Sequence, residues 1–281
     1  MKKLKDIYIR DPFVLADGGK FYLYGTTDPQ AWKGKAEGFK VYVSDDLENF
    51  EEQVIFENTA DFWAEEQFWA PEVHKYNGRY YLFAAFSKGD NVRRCQILSS
   101  DCPTGPFTPY GGLLFPNETS NLDATFFAEN GKRYTVFCRE WTDIKDGEMC
   151  LAELDENLRV SGDIKTLFKA SDATWVVEVE KGCYVTDGPF IRKNSLGQYV
   201  MLWSSHGRQG YAMGMAVADR IDGTWRHISE PLISSDGGHG MIFEKDGKLF
   251  VCYHMPNAPH LSERAHFAEI EEKDGIFRLK K

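Results

Sequence analysis

Apolar and polar positions alternate along this chain in short runs, and the runs recur in a fixed order. A short apolar segment, often with Pro at its start, leads into a Gly-containing turn. A segment rich in Tyr and Phe follows, then a third apolar segment and a polar fourth. Short runs with aromatic and β-branched content, bounded by Gly-rich turns, predict strands.

The unit occurs five times. The first copy is Asp11-Pro12-Phe13-Val14-Leu15, Asp17-Gly18-Gly19 and Phe21-Tyr22-Leu23-Tyr24. The second is Ala70-Pro71-Glu72-Val73-His74, Asn77-Gly78 and Tyr80-Tyr81-Leu82-Phe83. Copies three to five open at Asp123-Ala124-Thr125, Asp187-Gly188-Pro189 and His239-Gly240-Met241, with turns at Asn130-Gly131, Leu196-Gly197 and Asp246-Gly247. Asn-Gly and Asp-Gly between apolar runs are hairpin signals. Five units over 281 residues allow roughly 56 residues each, the size of a four-stranded blade with generous loops. The expected fold is all-β, a five-bladed β-propeller formed by residues 1–281 as one domain. A β-sandwich is the alternative, disfavoured because sandwiches rarely repeat their turn chemistry five times.

Composition narrows the partners. The formal net charge is −10, which repels phosphate backbones and argues against nucleic acid. No apolar run approaches the roughly 20 residues of a membrane span. The basic start Met1-Lys2-Lys3-Leu4-Lys5 has no apolar stretch behind it, so a cytoplasmic location is expected. The six cysteines form no CxxC pair, which disfavours zinc; free, mostly buried thiols are expected.

The first strand of each propeller blade lines the central channel, so equivalent positions converge there. That position holds Asp11, Ala70, Asp123, Asp187 and His239, with a one-residue shift in the fourth and fifth copies. A single Asp at a strand start is commonly a turn or cap residue. Three at matched positions would repel one another, which stability does not favour but acid/base chemistry uses. Glycoside hydrolysis needs an ionised carboxylate and a protonated carboxyl flanking the scissile bond. A further charge nearby holds the acid protonated.

At these residues the sequence resembles glycoside hydrolase family 43 and its clan of five-bladed propellers, over essentially the whole chain. Arg10-Asp11-Pro12-Phe13 is similar to the motif whose Asp is the general base, and Trp69-Ala70-Pro71-Glu72-Val73 to the second-blade motif. Leu122-Asp123-Ala124 resembles the segment whose Asp tunes and orients the acid, and Gly188-Pro189-Phe190 the segment carrying the acid. The family normally has Glu before that Gly-Pro; here it is Asp187, shorter by one methylene. The resemblance therefore implies Asp187 as a variant acid, with Glu72, Glu178 or Glu180 as alternative proton donors. It implies inversion at the anomeric carbon, with a water activated by Asp11.

The resemblance implies further that His239 faces the channel, touching substrate or meeting a bound ion, often calcium, through water; no cofactor is required. Arg264 resembles a late-blade Arg that reaches substrate. Trp69 and Trp203 are candidate sugar-stacking platforms, with the blade core as their other reading, and Glu72 is a candidate substrate contact. The expected partner is an oligosaccharide. The expected activity is that of an exo-acting α-L-arabinofuranosidase or β-xylosidase on short pentose-containing oligosaccharides. Family β-xylosidases usually carry an extra C-terminal β-sandwich, and no segment of this sequence reads as one, which tilts the expectation slightly toward arabinofuranosidase. The alternatives are a clan relative acting on galactose- or anhydrogalactose-type sugars, and a sugar-binding propeller that has lost its acid.

Overall fold

The computed structural model describes residues 1–280 and contains five antiparallel sheets arranged as the five blades of a propeller. Blade 1 comprises Arg10–Asp17, Lys20–Thr26, Gly38–Ser44 and Asn49–Glu57, with Lys2–Lys3 added outermost. Blade 2 comprises Glu66–Tyr76, Arg79–Ser87, Arg94–Ser100 and Thr108–Leu113. Blade 3 runs through Asn121–Glu129, Lys132–Arg139, Glu148–Leu154 and Val160–Lys169. Blade 4 holds Asp187–Lys193, Tyr199–Gly207, Gly210–Ala218 and Arg226–His227. Blade 5 holds Gly238–Lys245, Lys248–Met255, Arg264–Lys273 and Ile276–Leu279.

Turn chemistry sets the hairpins. Asn77 and Gly78 have φ of 48° and 79°, Asn130 and Gly131 50° and 78°, Asp246 and Gly247 53° and 72°. Two successive positive φ values give the turn whose twist matches the strands, and Asn, Asp and Gly tolerate them best. Blade 4 differs. Its loop is held by Asn194, whose Oδ1 accepts the N–H groups of Leu196 and Gln198 at 3.1 and 2.8 Å.

Aromatic side chains fill the wedges between blades. Phe39 of blade 1 packs against Phe68 and Phe86 of blade 2, each pair of centroids 5.7 Å apart. Phe168 of blade 3 meets Trp203 of blade 4 at 5.2 Å. All six cysteines are free, and only Cys102 is exposed.

The ring closes through the segment before blade 1. Ile7 and Ile9 are buried against blade 5, Ile9 N donates to Glu263 O at 3.3 Å, and Arg10 pairs with Glu263 at 2.6 Å. Arg264 Nε donates to Lys5 O at 2.8 Å.

The innermost strand of every blade carries a β-bulge at the same place. Two residues oppose one on the neighbouring strand at Asp11-Pro12, Ala70-Pro71, Asp123-Ala124, Gly188-Pro189 and His239-Gly240. The first residue of each bulge has positive φ: 51°, 47°, 56°, 50° and 46°. Four of the five are not glycine, and such strain collects where a backbone is held to aim a side chain. His239 is in register with Asp11 and Asp123, so the fifth copy needs no shift. In the fourth copy the bulged residue is Gly188, and Asp187 stands one place earlier, level with Arg10, Trp69, Leu122 and Gly238.

Candidate active site

The bulges surround a cavity of about 450 Å³ whose lining includes Asp11, Asp123, Asp187 and His239. Asp11 Oδ2 accepts from Thr26 Oγ1 at 2.8 Å, and its Oδ1 lies 3.2 Å from His239 Nδ1. Asp123 Oδ2 accepts the Gly188 N–H at 2.9 Å and is 3.9 Å from the same imidazole nitrogen. Asp187 Oδ2 accepts from the Tyr211 hydroxyl at 3.0 Å.

A second column of the repeat supports these side chains. Thr26, Ser204 and His254 pair with the residue before the bulge in their own blades. Each accepts the bulge N–H of the next blade. Thr26 Oγ1 takes Ala70 N at 2.8 Å, Ser204 Oγ takes His239 N at 2.8 Å, and His254 Nδ1 takes Asp11 N at 3.1 Å. A buried N–H needs a partner, so these bonds also fix the spacing of the blades around the channel. Because Nδ1 of His254 accepts, its proton is on Nε2, which donates to Asn257 Oδ1 at 3.1 Å. Burial pulls this imidazole down to about 3, which keeps it neutral despite the nearby Asp11.

The carboxyls are driven in opposite directions. Burial alone would raise Asp11, but the charges of His239 and Arg10 and the Thr26 bond outweigh it and hold Asp11 below the ordinary range. Burial raises Asp123, reinforced by Asp187 and Asp11 and opposed by His239. It raises Asp187 too, with His239 and the Tyr211 hydroxyl opposing and Asp11 reinforcing. Burial disfavours charge on His239, but Asp11, Asp123 and Asp187 raise it above its usual value. The arrangement sets one carboxyl held low against two held high, the asymmetry that acid/base chemistry uses.

The wall contains Trp69, whose Nε1 donates to Ala31 O at 2.6 Å and whose ring lies under the Arg93 guanidinium at 5.7 Å. Trp32, half exposed, meets Trp69 edge-on at 5.3 Å and lies under the Arg10 guanidinium at 4.9 Å. Arg93 is tied to Glu140 through Nε at 2.7 Å.

Other expected positions fall elsewhere. Trp203 is fully buried between blades 3 and 4, against Phe168 and Trp175, and offers no face to a sugar. Arg264 is used in ring closure, donating to the carbonyls of Lys5, Leu261 and Glu263, and the arginines on the cavity are Arg10 and Arg93. Glu72 is buried beside His74 at 3.0 Å, outside the cavity lining. Glu178 accepts the Gly182 N–H at 2.9 Å, and neither it nor Glu180 lines the cavity. Among the described residues the lining carboxyls are Asp11, Asp123, Asp187 and Glu140, and Glu140 is engaged by Arg93.

Calcium prefers oxygen ligands. Among the described residues no group of three or more His, Cys, Asp or Glu is arranged to hold a metal ion. His239 Nδ1 lies against Asp11, so that nitrogen is engaged by a carboxylate rather than directed at an ion.

Nothing in the sequence alone marks Thr26, Arg10, Tyr211 or His254 as a catalytic or substrate-binding position. Arg10 is adjacent to Asp11 in the first motif, and Thr26, Ser204 and His254 occupy one repeat position, which becomes visible once the bulge fixes the register.

The model of the family described as "Glycosyl hydrolases family 43" matches residues 6–277. An extracellular exo-α-(1→5)-L-arabinofuranosidase of Streptomyces avermitilis is 26% identical over 214 residues, which cover 69% of this chain and 44% of that protein. The chain spans less than half the length of the curated relatives it matches first. The crystal structure of an endo-arabinase from Bacteroides thetaiotaomicron VPI-5482 superposes with a TM-score of 0.88 at 37% identity, covering 97% of this chain and 98% of that one. A thermostable family-43 glycoside hydrolase gives 0.86 at 27% identity, covering 98% and 93%.

Proposed function

The chain belongs to glycosyl hydrolases family 43, and on that premise we propose that it hydrolyses glycosidic bonds with inversion, using Asp11 as general base and Asp187 as general acid. The observation that carries this reading is geometric: Asp11 and Asp187 line one cavity, each fixed by a hydroxyl, from Thr26 and Tyr211, with Asp11 held down by neighbouring charges and Asp187 pushed up by burial. Asp11 takes a proton from a water as that water attacks the anomeric carbon. Asp187 gives its proton to the glycosidic oxygen as the bond to carbon breaks. Asp123 fixes the backbone at Gly188, next to the acid, and burial, with the charges of Asp187 and Asp11, raises its own carboxyl. His239 balances the base.

The substrate we propose is a short pentose-containing oligosaccharide, cleaved from its end as by an α-L-arabinofuranosidase or β-xylosidase. The cavity volume is in the range that encloses small ligands. Trp32 and Trp69 supply flat apolar faces for sugar rings. The printed name of the Streptomyces relative supports exo action on arabinose linkages. The Bacteroides neighbour, titled an endo-arabinase, favours a second reading in which internal bonds of an arabinan are cut.

The test is a panel of nitrophenyl glycosides, linear arabino- and xylo-oligosaccharides and arabinan, with Asp11→Ala as control. Product anomers are followed by NMR. Monosaccharide as the first product supports the exo reading, and mixed oligomers support the endo one. No turnover of any substrate, with sugar binding retained, would sink the enzymatic reading.

A further inference from the structure

Tyr211 starts near the head of the third strand of blade 4 and is buried. Its hydroxyl donates to Asp187 Oδ2 at 3.0 Å. Its ring is stacked on His254, with centroids 5.5 Å apart and planes 19° from parallel. His254, in the second strand of blade 5, is wholly buried and accepts the N–H of Asp11 on Nδ1. A continuous path of contacts thus joins the Asp187 carboxyl to the backbone N–H of Asp11 through two aromatic rings.

We propose that Tyr211 and His254 form a strut that sets the position of the general acid Asp187 relative to the base Asp11, which makes them positioning residues for bond cleavage. The inference rests on the roles given to Asp11 and Asp187 above.

Three features suit the pair to this task. Buried aromatic rings have few torsions, so their stack is stiff. The Tyr211 ring is also seated tightly against blade 5: a Cβ on Gly238 would lie 2.8 Å from Tyr211 Cε1. Burial pushes the phenol far above its usual range, so the hydroxyl keeps its proton and remains a donor. A donor on Oδ2 leaves Oδ1 of Asp187 as the oxygen that carries the transferable proton. The acid here is an Asp, with one methylene less reach, so a fixed direction matters more.

The test is Tyr211→Phe, which removes the hydroxyl and keeps the ring. The charged and titratable groups facing Asp187 are Asp11, Asp123, Glu140, His239, His206 and Cys138, besides Tyr211. Only Tyr211 changes. A hydroxyl that donates to a carboxylate favours its ionised form, so the basic limb of kcat/KM against pH moves to higher pH in the variant. On an unactivated oligosaccharide kcat falls by about 10- to 100-fold, and by less on a nitrophenyl glycoside, whose leaving group needs little protonation. An unmoved limb, or equal losses on both substrates, overturns the proposal. Tyr211→Leu removes the stack as well and is expected to lower kcat on both substrates below the Phe variant; equality of the two removes His254 from the strut.

If the wild-type protein cleaves no glycoside, that failure belongs to the reading of function. The strut is then read in the free protein from the carboxyl carbon resonance of Asp187, which is expected to titrate at higher pH in Tyr211→Phe. An identical titration overturns it.

Discussion

The imidazole of His239 fills the space that a side chain at position 188 would need: a Cβ on Gly188 would lie 2.6 Å from His239 Cδ2. The other four blades present a side chain from the first residue of their bulge. Blade 4 has glycine there, with φ of 50°, and brings its carboxyl from Asp187, one residue earlier. The His and the third carboxylate share the channel only because of this offset.

Gly188→Ala should therefore cost more than Gly197→Ala. Both glycines have positive φ, but position 197 opens onto free space. Backbone strain alone predicts about 1 kcal/mol at 197, and overpacking against His239 adds about 1–3 kcal/mol at 188. Urea midpoints compare them, and equal losses would remove the His239 contact as the reason for the glycine.

Removing the two proposed proton carriers should separate by leaving group. Asp11→Asn is expected to lower kcat on the order of 10³-fold on every substrate, because water still needs a base. Asp187→Ala should be comparably damaging on oligosaccharides and much milder on dinitrophenyl glycosides. Initial rates with matched substrates decide this, and a uniform loss for Asp187→Ala would remove it as acid.

Activity should follow a bell-shaped pH profile. The acidic limb reports ionisation of Asp11, held below the ordinary range, and the basic limb reports proton loss from Asp187, held above it. His239→Gln removes a charge that lowers both, so both limbs should move to higher pH. A kcat/KM profile of the variant with its acidic limb unchanged would contradict the role of His239.

Asp123→Asn should stabilise the fold at neutral pH. A carboxyl raised in the folded state contributes stability that is complete below its unfolded value and is lost as pH rises through the folded one. The amide keeps an acceptor for the Gly188 N–H and never ionises. Its Tm should exceed that of the wild type by a few degrees at neutral pH and match it near pH 4. Melts at the two pH values check this; a constant difference would contradict it.

Arg264→Ala should lower stability by about 1 kcal/mol through loss of its bond to Lys5 O across the ring closure, with KM unchanged. Chemical denaturation and substrate titration read the two effects separately, and a raised KM would return Arg264 to the substrate site.

The repeat, the hairpins and two carboxylates of the cavity are legible in the order of residues alone. Those are local matters: Asn77-Gly78 writes its own turn through positive φ, and Asp11 and Asp123 sit at equal places in copies with equal bulges. Which way the tryptophans face is set by how the blades pack. Trp69 immediately precedes its bulge and reaches the cavity wall, whereas Trp203 lies opposite one and enters the wedge between blades. A bulge shifts the two-residue alternation by one place, so parity counted along the sequence loses the face. The choice of Arg10 over Arg264 depends on a bond between residues 253 apart, Arg10 to Glu263, formed when the ring closes. The strut from Asp187 to Asp11 likewise joins blades 4, 5 and 1. Strand patterns record which residues are buried, but the meeting of blades decides what each one touches.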